Sequence, residues 1–424
     1  MSDLGDFGNL AFDVAIVGAG PVGVTCALAL VQGGLSVAII DSHPVNPAVS
    51  AAFDGRASAI AAASFAAWRT LGVADLLAEA EPIRSILVTD GQNPGAATNT
   101  GSAAAGGGLL RFDAHDLDPE GDQPMGYMVE NRHARAALAQ ALLQSNATVF
   151  APASLTGIET SPRGAILTLA DGRCVTASLV VGAEGRASKV RQAAGIRTFG
   201  WDYRQRGVVA TVRLAQPHGG VAHEYFLPGG PLAILPLAQD RASLVWTERA
   251  QVADALVQGC APAFEAHLAR RFGDLLGTPV LEGERHAFPL SLQVAEHMVG
   301  PRTALIGDAA HAIHPIAGQG LNLGLKDACA LAEVIADAAR LGEDIGGALV
   351  LERYARWRRF DAAALAVATD LFTRVFSNDI APVRAIRGLG LSLVNRMPGA
   401  RRLFVREAAG LLGDTPRLSR GETV

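Results

Sequence analysis

Lysine is almost missing from this 424-residue chain: of its 36 basic residues, only Lys189 and Lys326 are not arginine. That bias is one of composition and carries no function by itself. Positive charge does not dominate either, since 41 acidic residues leave a formal net charge of −5. Without an overall basic field, the electrostatic footprint of a nucleic-acid binder is missing. Cysteine is scarce as well. Cys26, Cys174, Cys260 and Cys329 stand far apart with no CxxC pair, which excludes a disulfide-stapled miniprotein and offers no metal-ligand spacing, so they read as reduced thiols in packed positions. Only 18% of residues are charged, half are hydrophobic, and mean hydropathy is +0.25. Such a chain is too hydrophobic to be disordered and is suited to work near lipid. Long clean apolar runs are missing too. Residues 14–40 come nearest, but Gly18, Gly20, Pro21, Gly23, Gly33 and Gly34 interrupt them, Asp13 and Asp41 bracket them, and no basic segment precedes them. A buried strand, turn, helix and strand fits better than a membrane span or signal anchor. The expectation is a cytoplasmic protein with neither a spanning segment nor a secretion signal.

What is present has a readable order, and the length allows two or three structural units. Val14–Val17 is a short strand-like run, Pro21–Gln32 reads as a helix with proline in its first turn, and Ser36–Ile40 is a second buried strand. Together they make a βαβ unit. Residues 94–108 (PGAATNTGSAAAGGG) carry no charge and no large apolar side chain, so they read as a flexible excursion on a loop. From Gly207 to Arg249 the pattern changes. Val208–Val212, Tyr225–Leu227, Leu232–Leu237 and Ser243–Thr247 are short strands with turn residues between them, which predicts an antiparallel sheet. Thr303–Ile306 is again a buried strand, and Gly324–Ala339 has long helical spacing. The fold class expected is therefore α/β, with the antiparallel sheet inserted between two parts of a nucleotide-binding domain.

Gly18-Ala-Gly20-Pro-Val-Gly23 lies between the first strand and the first helix, and Asp41 ends the next strand. The glycines permit a tight turn and let backbone N–H groups at the helix start approach a pyrophosphate, while Asp41 is placed to accept hydrogen bonds from a ribose. The motif alone does not separate FAD from NAD. Two further blocks follow. Leu179–Arg191 is a strand ending in Gly-Ala-Glu184-Gly before a basic helix start; Ala304–Gly324 is a strand, a turn bearing Gly307 and Asp308, and a second Gly-rich turn opening a helix.

These three blocks, in this order, resemble those of the class A FAD-dependent aromatic monooxygenases. HPIAGQGLNLGLKD from His314 to Asp327 is similar to the ubiquinone-biosynthesis hydroxylase family in particular. VENRHARAAL from Val129 and AHEYFLPGGPLAILPL from Ala222 extend the resemblance over most of the chain. It implies a Rossmann-like FAD-binding domain with an inserted antiparallel β-sheet substrate domain and C-terminal helices. The bounds expected are 1–80, 109–190 and 285–345 for the FAD-binding domain, 81–108 and 191–284 for the substrate domain, and 346–424 for a C-terminal helical region.

By the same resemblance, one noncovalent FAD is held by Gly18, Gly20, Gly23, Asp41, Arg56, Glu184, Gly307, Asp308, Gly320, Leu321 and Asn322. Its isoalloxazine ring lies against the loop that carries Pro315, Gly318, Gln319, Gly320 and Asn322. Backbone N–H groups at that helix start would stabilise negative charge on the reduced flavin. Two positions depart from the family. Glu184 stands where aspartate is usual, and Asn131 stands where many members have an FAD-contacting arginine, so Arg132 or Arg56 is expected to supply that charge. No side-chain acid or base is expected to catalyse, because the implied oxidant is the flavin C4a-hydroperoxide formed with O2 and NAD(P)H. No separate motif for the nicotinamide is visible. A metal between His311 and His314 is rejected, since the pair straddles a Pro-containing loop and no further ligand follows at suitable spacing.

The substrate implied is a polyprenylated phenol on the ubiquinone pathway. A small soluble aromatic, or a non-catalytic flavin-binding role in a membrane-associated complex, stands as the alternative. From Asp370 to Gly410, Arg374, Arg384, Arg387, Arg396, Arg401, Arg402 and Arg406 face only Asp370, Asp379 and Glu407. Val383, Ile386, Leu389, Leu393, Val394 and Met397 fall there at helical spacing. Such a stripe suits either packing on the core or contact with the inner face of a membrane or with subunits of a ubiquinone-biosynthesis complex.

Overall fold

A computed structural model describes residues 10–50, 55–89, 109–117, 123–227, 229–272, 276–313, 319–359 and 398–424. The chain opens with β1 (Leu10–Val17), α1 (Pro21–Gln32) and β2 (Val37–Ile40). The two strands run parallel, with Val14 opposite Val37 and Val17 opposite Ile40. Every residue of β2 is buried, as expected of a parallel strand covered on both faces. Next come α2 (Pro47–Ser50), β3 (Ala57–Ala61), α3 (Ala62–Thr70), β4 (Glu81–Ile83), β5 (Ser85–Thr89), β6 (Leu109–Asp113) and β7 (Gly126–Glu130). The first half continues through α4 (Asn131–Gln144), β8 (Thr148–Phe150), β9 (Leu155–Ser161), β10 (Gly164–Leu169), β11 (Cys174–Gly182) and α5 (Lys189–Ala193).

β12 (Thr198–Arg213), β13 (Val221–Leu227), β14 (Gly230–Leu237) and β15 (Arg241–Arg249) supply the predicted antiparallel strands, followed by α6 (Ala250–Gln258) and α7 (Ala261–Phe272). Then come β16 (Val280–Ala295), β17 (Val299–Gly300), β18 (Thr303–Leu305), β19 (His311–Ala312) and α8 (Gln319–Arg340). A helix at Pro398–Ala408 lies near the end. The first sheet has the order β17-β18-β11-β1-β2-β8, with β10 and β9 appended; the second runs β19-β16-β12-β15-β14-β13-β5-β6; and β3, β7 and β4 form a small third sheet.

Two stretches lie elsewhere than the expected bounds. β6 belongs to the second sheet through its pairing with β5, and β16 stays paired with β12 beyond residue 284, up to Ala295. Both placements rest on long-range pairing, and nothing in the local composition marks residue 109 or 285. The described end of the region 346–424 does not stand apart either. Leu418 and Val424 are buried in the same core as α1 and α8, Arg417 pairs with Glu333, and Arg340 Nη2 donates to the Val424 carbonyl at 2.6 Å.

The second sheet has two different faces. Val208, Tyr225, Leu232, Ile234, Leu244 and Trp246 pack against Ala253, Leu256, Phe264 and Leu268 of α6 and α7. The opposite face carries Leu110, Phe112, Ala222 and Leu237, which meet Ile83, Met125 and Met128 from the small sheet. That second face is turned to the nucleotide-binding half.

Candidate active site

The glycines of the first motif divide by what surrounds them. Gly18 has φ +108°, and a Cβ there would lie 2.5 Å from the Ala183 carbonyl oxygen; a Cβ on Gly23 would lie 2.0 Å from the Gly18 oxygen. These two are required by the turn and by close packing. Gly20 is different. Its φ is −72°, which any residue adopts, and a Cβ would meet nothing within 4 Å. Packing therefore does not demand glycine. The empty space lies at the uncapped N-terminus of α1, where N–H groups and the helix dipole attract an anion.

The three Gly-bearing blocks converge on this point. Ala183 N donates to Val17 O, and Ile306 N donates to Gly182 O. A Cβ on Gly324 would come within 2.8 Å of Val22 Cγ2 and 3.0 Å of Gly307 Cα, so only glycine lets α8 begin this close to α1. Asp41, at the end of β2, accepts from Ala19 N at 2.7 Å and His43 N at 2.8 Å, fixing the Gly-rich turn. Glu184 caps the short α5 by accepting from Val190 N at 2.8 Å, and burial pushes its carboxyl up from the usual range. Asp308 is half open to water, yet protein crowds it closely enough to raise its pKa. That combination fits a group on the floor of a cleft. Arg186 approaches Asp308 at 4.0 Å.

Behind this floor lie groups that sequence reasoning missed. Arg191 is buried and donates to Ala309 O at 2.9 Å and Arg186 O at 2.6 Å, tying the second block to the third. Asp327 on α8 is fully buried. Its carboxylate lies 2.7 Å from His311 Nε2, accepts from Arg358 Nε at 2.8 Å, and accepts from Gly307 N at 3.1 Å. Burial works against charge on Asp327, but His311 and Arg358 outweigh it and hold the carboxyl below its ordinary value. Burial likewise opposes charge on His311, and Asp327 reverses the balance upward. Tyr354 donates to the Leu305 carbonyl at 2.9 Å beside them. An acid amid Leu325, Ala328 and Leu331 was the one available signal, because a charge on an apolar helix stripe needs a partner.

The ring-side candidates are brought together in part. Asn322, at the start of α8, accepts from Ala61 N and donates to Ala59 O, both at 2.8 Å, and so clamps the helix to β3. Gln319 and Gly320 form the first turn of α8 with Leu321 following, whereas Pro315, Gly318 and His314 lie outside the described residues. Arg56, on the loop before β3, stacks over the Phe288 ring at 5.8 Å and accepts at its carbonyl from Asn131 N. The Asn131 side chain accepts from Ser58 Oγ at 2.7 Å. Arg132 is engaged by Glu130 at 2.7 Å, and Arg241 holds the other oxygen of that carboxylate at 2.8 Å. Of the two arginines offered for the cofactor charge, Arg56 lies over a ring of the second sheet, whereas Arg132 is paired with a carboxylate. Among the described residues, no helix is long and apolar enough to cross a membrane.

Comparison with known proteins agrees with this arrangement. The model of the FAD binding domain family matches residues 11–368. The chain is 45% identical to the ubiquinone hydroxylase UbiL of Rhodospirillum rubrum over 96% of its own length and 92% of that protein. It is 36% identical to the 3-demethoxyubiquinol 3-hydroxylase of Escherichia coli over 95% and 100% of the two chains. Among solved structures, p-nitrophenol 4-monooxygenase PnpA of Pseudomonas putida superposes with a TM-score of 0.75 at 20% identity, covering 95% of this chain and 99% of that one. At that identity the likeness is one of fold.

Proposed function

Because the chain belongs to the ubiquinone-biosynthesis hydroxylases of the FAD-dependent aromatic monooxygenases, we propose that it hydroxylates the ring of a polyprenylated phenol, using NAD(P)H and O2. The observation that carries the reading is the open face of Gly20 at the α1 N-terminus, with Asp41 bonded to the neighbouring Ala19 N–H and Gly307, which precedes Asp308, packed on Val22 of the same turn. A dinucleotide needs such an arrangement: N–H donors for its pyrophosphate and carboxylates for its hydroxyls. The residues therefore fit FAD. Gly20 and the first turn of α1 would hold the pyrophosphate, and Asp41 the ribose. Asp308 would hold the ribityl portion, and the start of α8 around Gln319, Gly320 and Asn322 the ring.

When bound, the flavin supplies two-electron chemistry with O2 that no side chain can perform. The chain's own contributions are placement and exclusion of water. Asn322 fixes the α8 start against β3, so the N–H groups of that turn keep one position relative to the ring. Arg191 and Asp327 lock the two turns beneath. The sheet face bearing Phe288, with Arg56 stacked over that ring, closes the other side and defines where an aromatic substrate enters.

Delivery of a water-insoluble tail calls for approach to a bilayer or a partner. At Pro398–Ala408 one face is committed, since Val405 is fully buried and the Phe404 ring meets Phe112 at a tilt, 5.9 Å between centroids. Leu403 is 54% exposed beside the exposed Arg402 and Arg406, and this outer face is our candidate for that contact.

The reading is tested by cofactor content and by product. Purified protein should be yellow with one releasable FAD per chain, and Gly20→Val and Asp308→Ala should each lower that occupancy. Full occupancy in both variants would remove the cofactor site from this place. Deleting the gene in its host should accumulate an under-hydroxylated quinone precursor by mass spectrometry; an unchanged quinone profile would refute the pathway assignment.

A further inference from the structure

One carboxyl in the second sheet has no structural work. Glu224 lies in β13, opposite Ala233 of β14 and Val88 of β5. Along the same level the sheet continues through the apolar Leu110 on one side and Val245 and Val209 on the other, and ends at His286 of β16. The face they share is the one turned to the nucleotide-binding half. On it, Thr211 Oγ1 donates to the Gly55 carbonyl at 3.4 Å, and Arg241 is held by Glu130 and Glu79. Its own neighbours His223 and Tyr225 point the other way, where Tyr225 packs with Trp246 under α6 and α7. Among the described residues Glu224 has no hydrogen-bond or ion-pair partner, and burial is the sole cause of its raised pKa, about 7. Some of its surface still reaches solvent. Like Asp308, it is crowded by protein yet partly accessible.

A lone carboxyl on an apolar shelf costs stability and packs nothing that leucine would not pack better. Such a group, facing the cofactor half, suits a ligand with one polar hydrogen on an apolar ring. We propose that Glu224 accepts the phenolic O–H of the substrate and takes its proton during hydroxylation, which orients the ring and raises its electron density. This rests on the substrate class proposed above.

The proton passes to the Glu224 carboxylate as the oxygen lone pair feeds the ring carbon that gains the new C–O bond. That oxygen comes from O2. The other oxygen atom leaves as water, with two electrons from NAD(P)H delivered through the flavin. The hydrogen displaced from the ring carbon leaves as a proton when aromaticity returns, and Glu224 gives its proton back to the product oxygen. Of the other charged or titratable groups on that face, Arg241 is neutralised by its two glutamates, Arg213 beside it pairs with Glu282, and His286 of β16 stands opposite Val209. His223 is turned away and is held neutral by burial, with a pKa of about 4.

The test uses the FAD-loaded protein and its Glu224→Gln and Glu224→Asp variants. Glutamine keeps the shape but cannot take a proton, so kcat should fall about 10²-fold or more, with FAD content and melting temperature retained. The acid limb of kcat/KM near neutrality should vanish in the glutamine variant and return in the aspartate variant. A second readout needs no turnover. Binding of 4-propylphenol, protonated across roughly pH 6–8, is followed by perturbation of the flavin spectrum. Wild-type affinity should rise as pH rises through neutrality, and that of Glu224→Gln should stay flat. Unchanged kcat and an intact acid limb in Glu224→Gln, or a flat wild-type binding profile, would overturn the proposal. If Glu224→Gln loses its flavin, Glu224→Asp and the wild-type binding profile carry the decision. A wild-type enzyme that hydroxylates no prenylated phenol would overturn the substrate reading instead, and the binding arm would still judge Glu224.

Discussion

Replacing Asp327 with alanine removes the one acceptor shared by three buried donors. His311, Arg358 and the Gly307 N–H all converge on its carboxylate, and His311, Asp327 and Arg358 are 2%, 0% and 0% exposed. Alanine leaves the Arg358 guanidinium and the His311 imidazole in the interior without this carboxylate. Breaking a buried pair from one side costs about 3–5 kcal/mol. With about 2.1 cal/mol/K of unfolding entropy per residue, a 424-residue chain unfolding as a unit loses roughly 1 °C per kcal/mol, so the melting temperature should drop by about 3–6 °C.

The loss has a pH signature. The pKa of His311 is raised in the folded state, so its contribution is complete below its unfolded value of about 6.5 and fades as pH rises through the folded value. That of Asp327 is lowered, so its contribution is complete above about 4 and is lost as pH falls through the folded value. The gap between wild type and Asp327→Ala should be widest in weakly acidic buffer and narrow toward alkaline pH. Thermal unfolding over a pH series measures this directly. A companion with all three groups made apolar, His311→Phe, Asp327→Leu and Arg358→Met, should recover much of the loss, because it buries no unpaired charge. FAD affinity should not recover with it, since Gly307 still lacks its anchor. The reasoning is refuted if Asp327→Ala lies within 1 kcal/mol of wild type or if the triple variant is no more stable than the single one.

Asn322→Ala should lose about 2 kcal/mol, from two hydrogen bonds to β3 of about 1 kcal/mol each, and should lower product formation more than FAD content; equal loss of both would show that its main work is retaining the cofactor rather than setting the position of the ring. Arg191→Met uncouples the Ala309 and Arg186 carbonyls, so FAD should dissociate faster in stopped-flow release, and an unchanged rate would show that the two turns are held independently. Charge reversal at Arg402 and Arg406 should weaken sedimentation with anionic liposomes while leaving FAD bound, and undiminished sedimentation would assign the helix to packing alone. Truncation after Pro382 is the wrong variant for that question, because it deletes Leu418 and Val424 from the core; flavin loss and aggregation are expected.

The first βαβ unit was legible residue by residue, since apolar strands flanking a Gly-rich turn and a helix admit little else, and α1 runs over the expected Pro21–Gln32. The sequence also marked the three blocks that meet at the cofactor cleft and the strands of the second sheet, because periodicity and glycine placement are local properties. Only the tertiary structure decided which residues do which work. Gly20 differs from Gly18 and Gly23 by what a Cβ would touch, and that depends on Ala183, some 160 residues away. Arg132, next to Asn131 in sequence, is taken by Glu130 because Arg241 arrives from the second sheet to share the carboxylate. Asp327 finds Arg358 from a later helix, and among the described residues Glu224 finds no partner, because the strands on either side present Ala233 and Val88 to it. Charge in the interior has meaning only through its neighbours, and those come from long-range pairing that no local pattern encodes.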